Sequence, residues 1–174
     1  RAGYAFTSLL CRVKGPGYRS PAVKNLLFGA YNRAFRPNRT DYDWVCGDRE
    51  VVDAYCQDRG CQFLPTVSLY RDMLGGLRFI GDRENLARMD KSTPVLLFSG
   101  AKDPVGEHGK DVERAYQGFL QAGCTDVQRK LYPDGRHEVL NEPWRETVYQ
   151  DILAWLEQHL EGRHLPRPAI TFSP

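Results

Sequence analysis

The sequence predicts an α/β chain: a mostly helical region over residues 1–90, then the last parallel strands of a sheet with their flanking helices over residues 91–174. Two observations carry this. From Pro94 onward, short apolar runs alternate with amphipathic helix patterns, giving strand–helix–strand–helix. Before that point no segment reads as a strand, and the apolar clusters are short and helically spaced. This order suggests a helical cap laid over a parallel sheet.

The elements follow in turn. Ala22 to Phe28, Glu50 to Tyr55 and Thr66 to Leu74 are candidate helices, the last with Leu69, Met73 and Leu77 at i, i+4 and i+8. Gly15-Pro16-Gly17 and Arg36-Pro37-Asn38 break the pattern. Pro94 to Gly100 is a continuous apolar run closed by glycine, the signature of a strand buried on both faces of a parallel sheet. Val112, Ala115, Tyr116, Phe119 and Leu120 then mark one face of a helix, with Gly123 at its C-terminal end. Asp126 to Tyr132 is the second strand, followed by the turn residues Pro133-Asp134-Gly135. Asn141-Glu142-Pro143 reads as the start of a last helix. Its apolar stripe is Trp144, Val148, Ile152, Trp155, Leu156 and Leu160, Gly162 ends it, and an irregular tail follows.

Composition excludes several classes. Of 174 residues, 24 are basic and 22 acidic, and the charges are interspersed, so neither nucleic acid nor an acidic membrane is an expected partner. No stretch approaches the roughly 20 apolar residues of a membrane span. No secretory leader is visible from Arg1, and the lack of an initial methionine places the true start upstream. Cys11, Cys46, Cys56, Cys61 and Cys124 form no disulfide framework and no C-x-x-C zinc pair, which fits a cytoplasmic protein.

The chemistry sits where the strands end. In a parallel sheet, functional residues occupy loops beyond the C-terminal ends of strands. Asp103 lies three residues past Gly100, and His137 follows the second strand and its turn. They are 34 residues apart (137 − 103), a gap filled by one helix and one strand, which makes the two strands parallel neighbours. Each residue alone is weak, because Asp-Pro after a strand is a common turn and a Gly-Arg-His loop can be surface decoration. At equivalent places in consecutive strand–loop units they become an acid and a base. Such a pair activates a serine: histidine takes the hydroxyl proton, and the carboxylate fixes the imidazole tautomer and stabilises its charged form. His108, His159 and His164 have no such placement.

The local sequences carry a resemblance. Ser99-Gly100-Ala101-Lys102-Asp103-Pro104-Val105-Gly106 resembles the acid loop of the monoacylglycerol-lipase-like and lysophospholipase-like (serine aminopeptidase-like) α/β-hydrolases. Leu131-Tyr132-Pro133-Asp134-Gly135-Arg136-His137-Glu138-Val139-Leu140-Asn141-Glu142 is similar to their histidine loop, and Val148 to Leu156 to their last helix. Phe28 to Asn32, Thr40 to Val45 and Val52 to Tyr55 resemble the cap of bacterial members. The resemblance implies the C-terminal part of an α/β-hydrolase fold preceded by a helical cap. It implies Asp103 as acid and His137 as base of a Ser-Asp-His triad, with no cofactor. The substrate it implies is a lipid-like ester, with Phe28, Tyr31, Phe35, Trp44, Tyr70, Met73 and Leu74 as candidate lining of an acyl pocket.

The family also has a serine in G-x-S-x-G and backbone N–H groups forming an oxyanion hole. No G-x-S-x-G occurs in these 174 residues. The expectation is therefore an N-terminal half of the hydrolase, present as a separate chain, because two strands alone would leave apolar surface uncovered. A homo-oligomer is a further expected arrangement, since helical caps form dimer contacts. The rival is a non-catalytic binding or regulatory module on an α/β-hydrolase scaffold, to be distinguished by whether the upstream sequence holds G-x-S-x-G. A nucleotide-binding domain ranks below both, since no glycine-rich phosphate loop is present.

Overall fold

The computed structural model describes residues 2–160. The end of the last helix at Gly162, the tail and His164 lie outside the described residues.

Five α-helices precede the first strand: α1 (Ala2–Lys14), α2 (Pro21–Phe28), α3 (Arg49–Gln57), α4 (Val67–Ile80) and α5 (Arg83–Ala87). A 3-10 turn, Tyr31–Phe35, lies between α2 and α3. Each of α2 to α5 starts on a side-chain cap: Ser20, Asp48, Thr66 and Asp82 accept N–H bonds from the first turn. Among the described residues of this region the only strand-type pairing is an isolated antiparallel bridge between Arg19 and Thr66.

α1 has no counterpart among the expected helices. Its buried side chains are Thr7 and Cys11, whereas Phe6, Leu9 and Val13 are exposed. Small residues make its contact with α4: a Cβ on Gly3 would lie 3.3 Å from Leu74, and one on Gly75 3.2 Å from Tyr4. On α4 the expected stripe faces outward. Leu69, Met73 and Leu77 are exposed, and the inward residues are Val67 and Tyr70, which pack with Cys11, Val23 and Phe28. A second cluster gathers Trp44, Val45, Cys46 and Val52, with Tyr31 and Phe35 against it.

The sheet follows the sequence pattern. β1 (Val95–Gly100), α6 (Lys110–Gln121) and β2 (Val127–Tyr132) form a right-sized crossover, and the strands pair in parallel from Val95↔Val127 to Gly100↔Tyr132. Among the described residues β1 pairs with β2 alone, so its other edge carries no partner strand. The closing helix α7 (Arg145–Leu160) buries Val148 against Tyr132 and Val139, with Ile152 and Trp144 beside them. Leu156 and Leu160, read as part of its buried stripe, are exposed, as are Tyr149 and Leu153. The helix begins three residues later than Asn141-Glu142-Pro143 suggested. Val139–Asn141 is a 3-10 turn, and Glu142 has extended backbone (φ −62°, ψ 155°), its side chain already committed elsewhere.

One glycine contact sets the geometry of the strand ends. A Cβ on Gly100 would overlap the carbonyl oxygens of Gly135 and Arg136, and a Cβ on Gly135 would lie 2.9 Å from the Gly100 Cα. The end of β1 and the loop after β2 therefore touch backbone to backbone. The N–H of Lys102 donates to Gly135 O at 2.9 Å across this contact. Gly100→Ala is expected to cost more than ~3 kcal/mol, at the upper end for overpacking because backbone rather than a side chain must move. Urea unfolding of the substituted protein measures it.

Candidate active site

The glycine contact brings together the two residues singled out in the sequence. Asp103 is buried at 5% exposure, three residues beyond β1. Its Oδ1 accepts the N–H of Val105 at 2.9 Å, and its Oδ2 faces His137 Nδ1 at 3.1 Å. The loop folds back on the acid, with His108 N–H donating to Asp103 O at 2.8 Å while Glu107 and His108 hold left-handed backbone (φ 47° and 57°). With a proton on Nδ1 directed at the carboxylate, Nε2 of His137 is the basic nitrogen. Among the described residues it has no hydrogen-bond partner. The imidazole keeps 40% of its side-chain surface exposed, so the ring is held at Nδ1 and open at Nε2.

The Asp103 hydrogen bond raises the His137 pKa above 6.5, outweighing the lowering caused by burial. The shift favours the imidazolium. Its stabilising contribution is complete below 6.5 and disappears as pH rises through the higher folded value.

The helical region supplies the surroundings of His137. The Trp44 ring lies 5.2 Å from the imidazole centroid, tilted by 48°, and Tyr31 packs edge-on against Trp44 at 5.2 Å. Burial, then the Asp103 charge, raises the Tyr31 pKa, so this phenol stays neutral. The backbone beside Trp44 is bonded to the histidine loop: His137 N–H donates to Trp44 O at 3.4 Å and Glu138 N–H to Val45 O at 2.8 Å. The Arg136 guanidinium donates to the carbonyls of Asp43 and Cys46 and lies over the Phe35 ring at 4.5 Å.

An open cleft of about 580 Å³ runs from Trp44 into the helical region, walled by Phe28, Tyr42, Tyr55, Phe63 and Tyr70. Of the seven residues expected to line an acyl pocket, Phe28, Trp44 and Tyr70 wall this cleft, while Leu74 lies against Gly3 of α1. Tyr31 and Phe35 pack beneath Trp44, and Met73 points outward.

Residues not singled out in the sequence also meet here. Glu142, which the sequence pattern places at a helix start, is 1% exposed and accepts N–H groups from Gly47 at 3.0 Å and Arg136 at 2.8 Å. The available signal was the unusual charge between apolar Leu140 and Pro143-Trp144. His159 sits apart, bonded to Trp155 O and to Asp126 just before β2, at the opposite end of the sheet from His137.

Comparison with known proteins agrees with this architecture. A monoacylglycerol lipase from Mycolicibacterium smegmatis is 32% identical over 125 residues, covering 69% of this chain and 40% of the relative. A thermostable carboxyl esterase from Bacillus coagulans, solved with glycerol, superposes with a TM-score of 0.82 at 22% identity, covering 89% of this chain and 51% of its own. A monoacylglycerol lipase from Paleococcus ferrophilus superposes with a TM-score of 0.64 at 19% identity, covering 90% and 51%. The chain thus spans about half the length of these relatives or less, and its fold is part of the α/β-hydrolase fold. The family model described as serine aminopeptidase, S33, matches residues 5–144, and the chain belongs to that family of α/β-hydrolases.

Proposed function

We propose that this chain contributes the acid, Asp103, and the base, His137, to a Ser-Asp-His carboxylic ester hydrolase acting on monoacylglycerol- or lysophospholipid-like substrates. The observation that carries the reading is the 3.1 Å contact of His137 Nδ1 with a buried carboxylate, which leaves Nε2 open. The nucleophilic serine and the oxyanion hole belong to the complementary half of the fold, which these residues do not include. Three features support this division: the lack of G-x-S-x-G in these residues, the unpaired edge of β1, and the exposed Leu153, Leu156 and Leu160 on α7.

In this reading residues 1–90 act as the cap. Nε2 of His137 takes the serine proton as the hydroxyl attacks the ester carbonyl, then returns it to the leaving alcohol. Water attacks the acyl-enzyme with His137 again as base, releasing the carboxylic acid and restoring the serine. Asp103 orients the ring and stabilises each imidazolium. The aromatic cleft beside Trp44 has a size suited to the hydrocarbon part of such an ester. Five free cysteine thiols fit a reducing compartment, and among the described residues no helix is long and apolar enough to cross a membrane.

The test compares initial rates of the intact hydrolase on a monoacylglycerol and on an aminoacyl arylamide across pH. The ester is expected to be cleaved and the amide left. The ester rate should rise with pH through a pKa above 6.5, because the base works only when neutral and Asp103 holds it protonated to higher pH. Faster cleavage of the amide, or an acid limb below 6.5, contradicts the reading.

A further inference from the structure

We propose that Glu142 is a positioning residue for His137 that ties the catalytic base to the cap, so that cap segment 43–47 and histidine loop 136–142 move as one body. The proposal rests on the acid–base reading of Asp103 and His137 given above.

The geometry is that of a two-sided clasp. Glu142 is buried, and each carboxylate oxygen serves a different partner: Oε2 accepts Gly47 N–H from the cap at 3.0 Å, and Oε1 accepts Arg136 N–H at 2.8 Å, one residue before the base. Further bonds run alongside it. Cys46 S–H donates to Asn141 O at 3.3 Å, and Arg136 reaches back to the Cys46 carbonyl at 3.0 Å. Burial, opposed by the Asp48 N–H bond, pushes the Cys46 thiol up to about 11, so it stays a neutral donor. The same cap segment presents the Trp44 ring to the imidazole and to the cleft. A ligand that shifts Trp44 therefore shifts the backbone holding His137.

Only a carboxylate can close the clasp. It offers two acceptor oxygens to two donors, whereas an amide offers one acceptor and one donor of its own. Glu142→Gln keeps the shape and volume and breaks one tie by opposing N–H to N–H. Gly47→Ala disturbs the clasp from the cap side, because its Cβ would lie 2.5 Å from Glu142 Oε2.

The experiment measures kcat, KM, thermal midpoint and the imidazole NMR titration of His137 in the intact hydrolase. The wild type, Glu142→Gln, Gly47→Ala and His137→Ala are compared. Both clasp variants are expected to lose roughly 10- to 100-fold in kcat, the order that a misplacement of about 1 Å costs. KM should change little, and His137 should titrate closer to 6.5 as its bond to Asp103 loosens. Gly47→Ala stands in if Glu142→Gln does not fold. Wild-type kcat and an unmoved titration in a folded clasp variant, with His137→Ala inactive, overturn the positioning role and leave the acid–base reading intact. Turnover by His137→Ala overturns both.

Discussion

His137→Ala in the intact hydrolase is expected to lower kcat by about 10⁴- to 10⁶-fold, the range in which loss of a triad base leaves only binding and oxyanion stabilisation. The size follows from what the imidazole does in this arrangement. Nε2 is the open nitrogen, and Nδ1 is engaged by a buried carboxylate, so no rotation of the ring offers a second base. Replacement by methyl also leaves Asp103 Oδ2 without its imidazole partner, facing only the long contact from the Ser99 hydroxyl at 3.5 Å. Neither Ser99 nor the phenol of Tyr31, whose pKa is raised, can accept a proton near neutral pH. Covalent labelling by a fluorophosphonate reports the same proton removal without needing product release, and it should slow in parallel with turnover. Near-wild-type rates in both assays would remove His137 from the mechanism.

The meeting of Asp103 and His137 was legible in the sequence because topology fixes where their two loops end. A strand meant for burial on both faces has to be apolar throughout, so Val95 to Gly100 announces itself, although among the described residues it is only half-buried up to Ser99 and Gly100 alone is buried. One crossover helix then forces a parallel neighbour, and the two loops leave the same sheet edge. Gly100 and Gly135 show why the approach is so close, but a glycine in sequence does not say which backbone it admits. The helical region was less legible. Periodicity identifies an apolar stripe and not the partner that covers it. On α4 the stripe Leu69, Met73, Leu77 faces outward, while α1 packs through Gly3, Thr7 and Cys11, residues with little apolar signal. Glu142 was hidden for a different reason. Its partner Gly47 is 95 residues away, and no local pattern distinguishes a clasp between distant segments from an N-terminal helix charge.

Outward stripes on both halves of the chain share one physical cause. Phe6, Leu9 and Val13 on α1, Leu69 and Leu77 on α4, and Leu153, Leu156 and Leu160 on α7 are exposed apolar rows at helical spacing. An exposed row of this kind costs solubility unless another element covers it. β1 lacks a second neighbour among the described residues. The match covers only about half the length of the structures that superpose on this chain. The proposed complementary half would meet these surfaces, and the serine it brings would have to arrive at the open face of His137.

Asp103→Asn is the most informative substitution, because the structure specifies how the amide would sit. Oδ1 of Asp103 accepts Val105 N–H at 2.9 Å, and Oδ2 faces His137 Nδ1 at 3.1 Å. An asparagine here can satisfy Val105 only with its carbonyl oxygen, which turns its NH₂ toward His137. That NH₂ can donate to Nδ1 but cannot accept from it, so the ring proton moves to Nε2. The base then presents a proton to the serine hydroxyl rather than a lone pair. Shape, volume and loop backbone are unchanged, yet turnover should fall by about 10⁴, as in triads where the same exchange locks the wrong tautomer. A second signature separates this from general damage. Without the carboxylate, the influence that raises the His137 pKa is gone, so the acid limb of the residual rate should move down toward 6.5. Heteronuclear NMR of the imidazole nitrogens reads the tautomer directly: the protonated nitrogen should be Nδ1 in the wild type and Nε2 in Asp103→Asn. A folded variant with Nδ1 still protonated and a rate within tenfold of wild type would show that Asp103 does not orient the base.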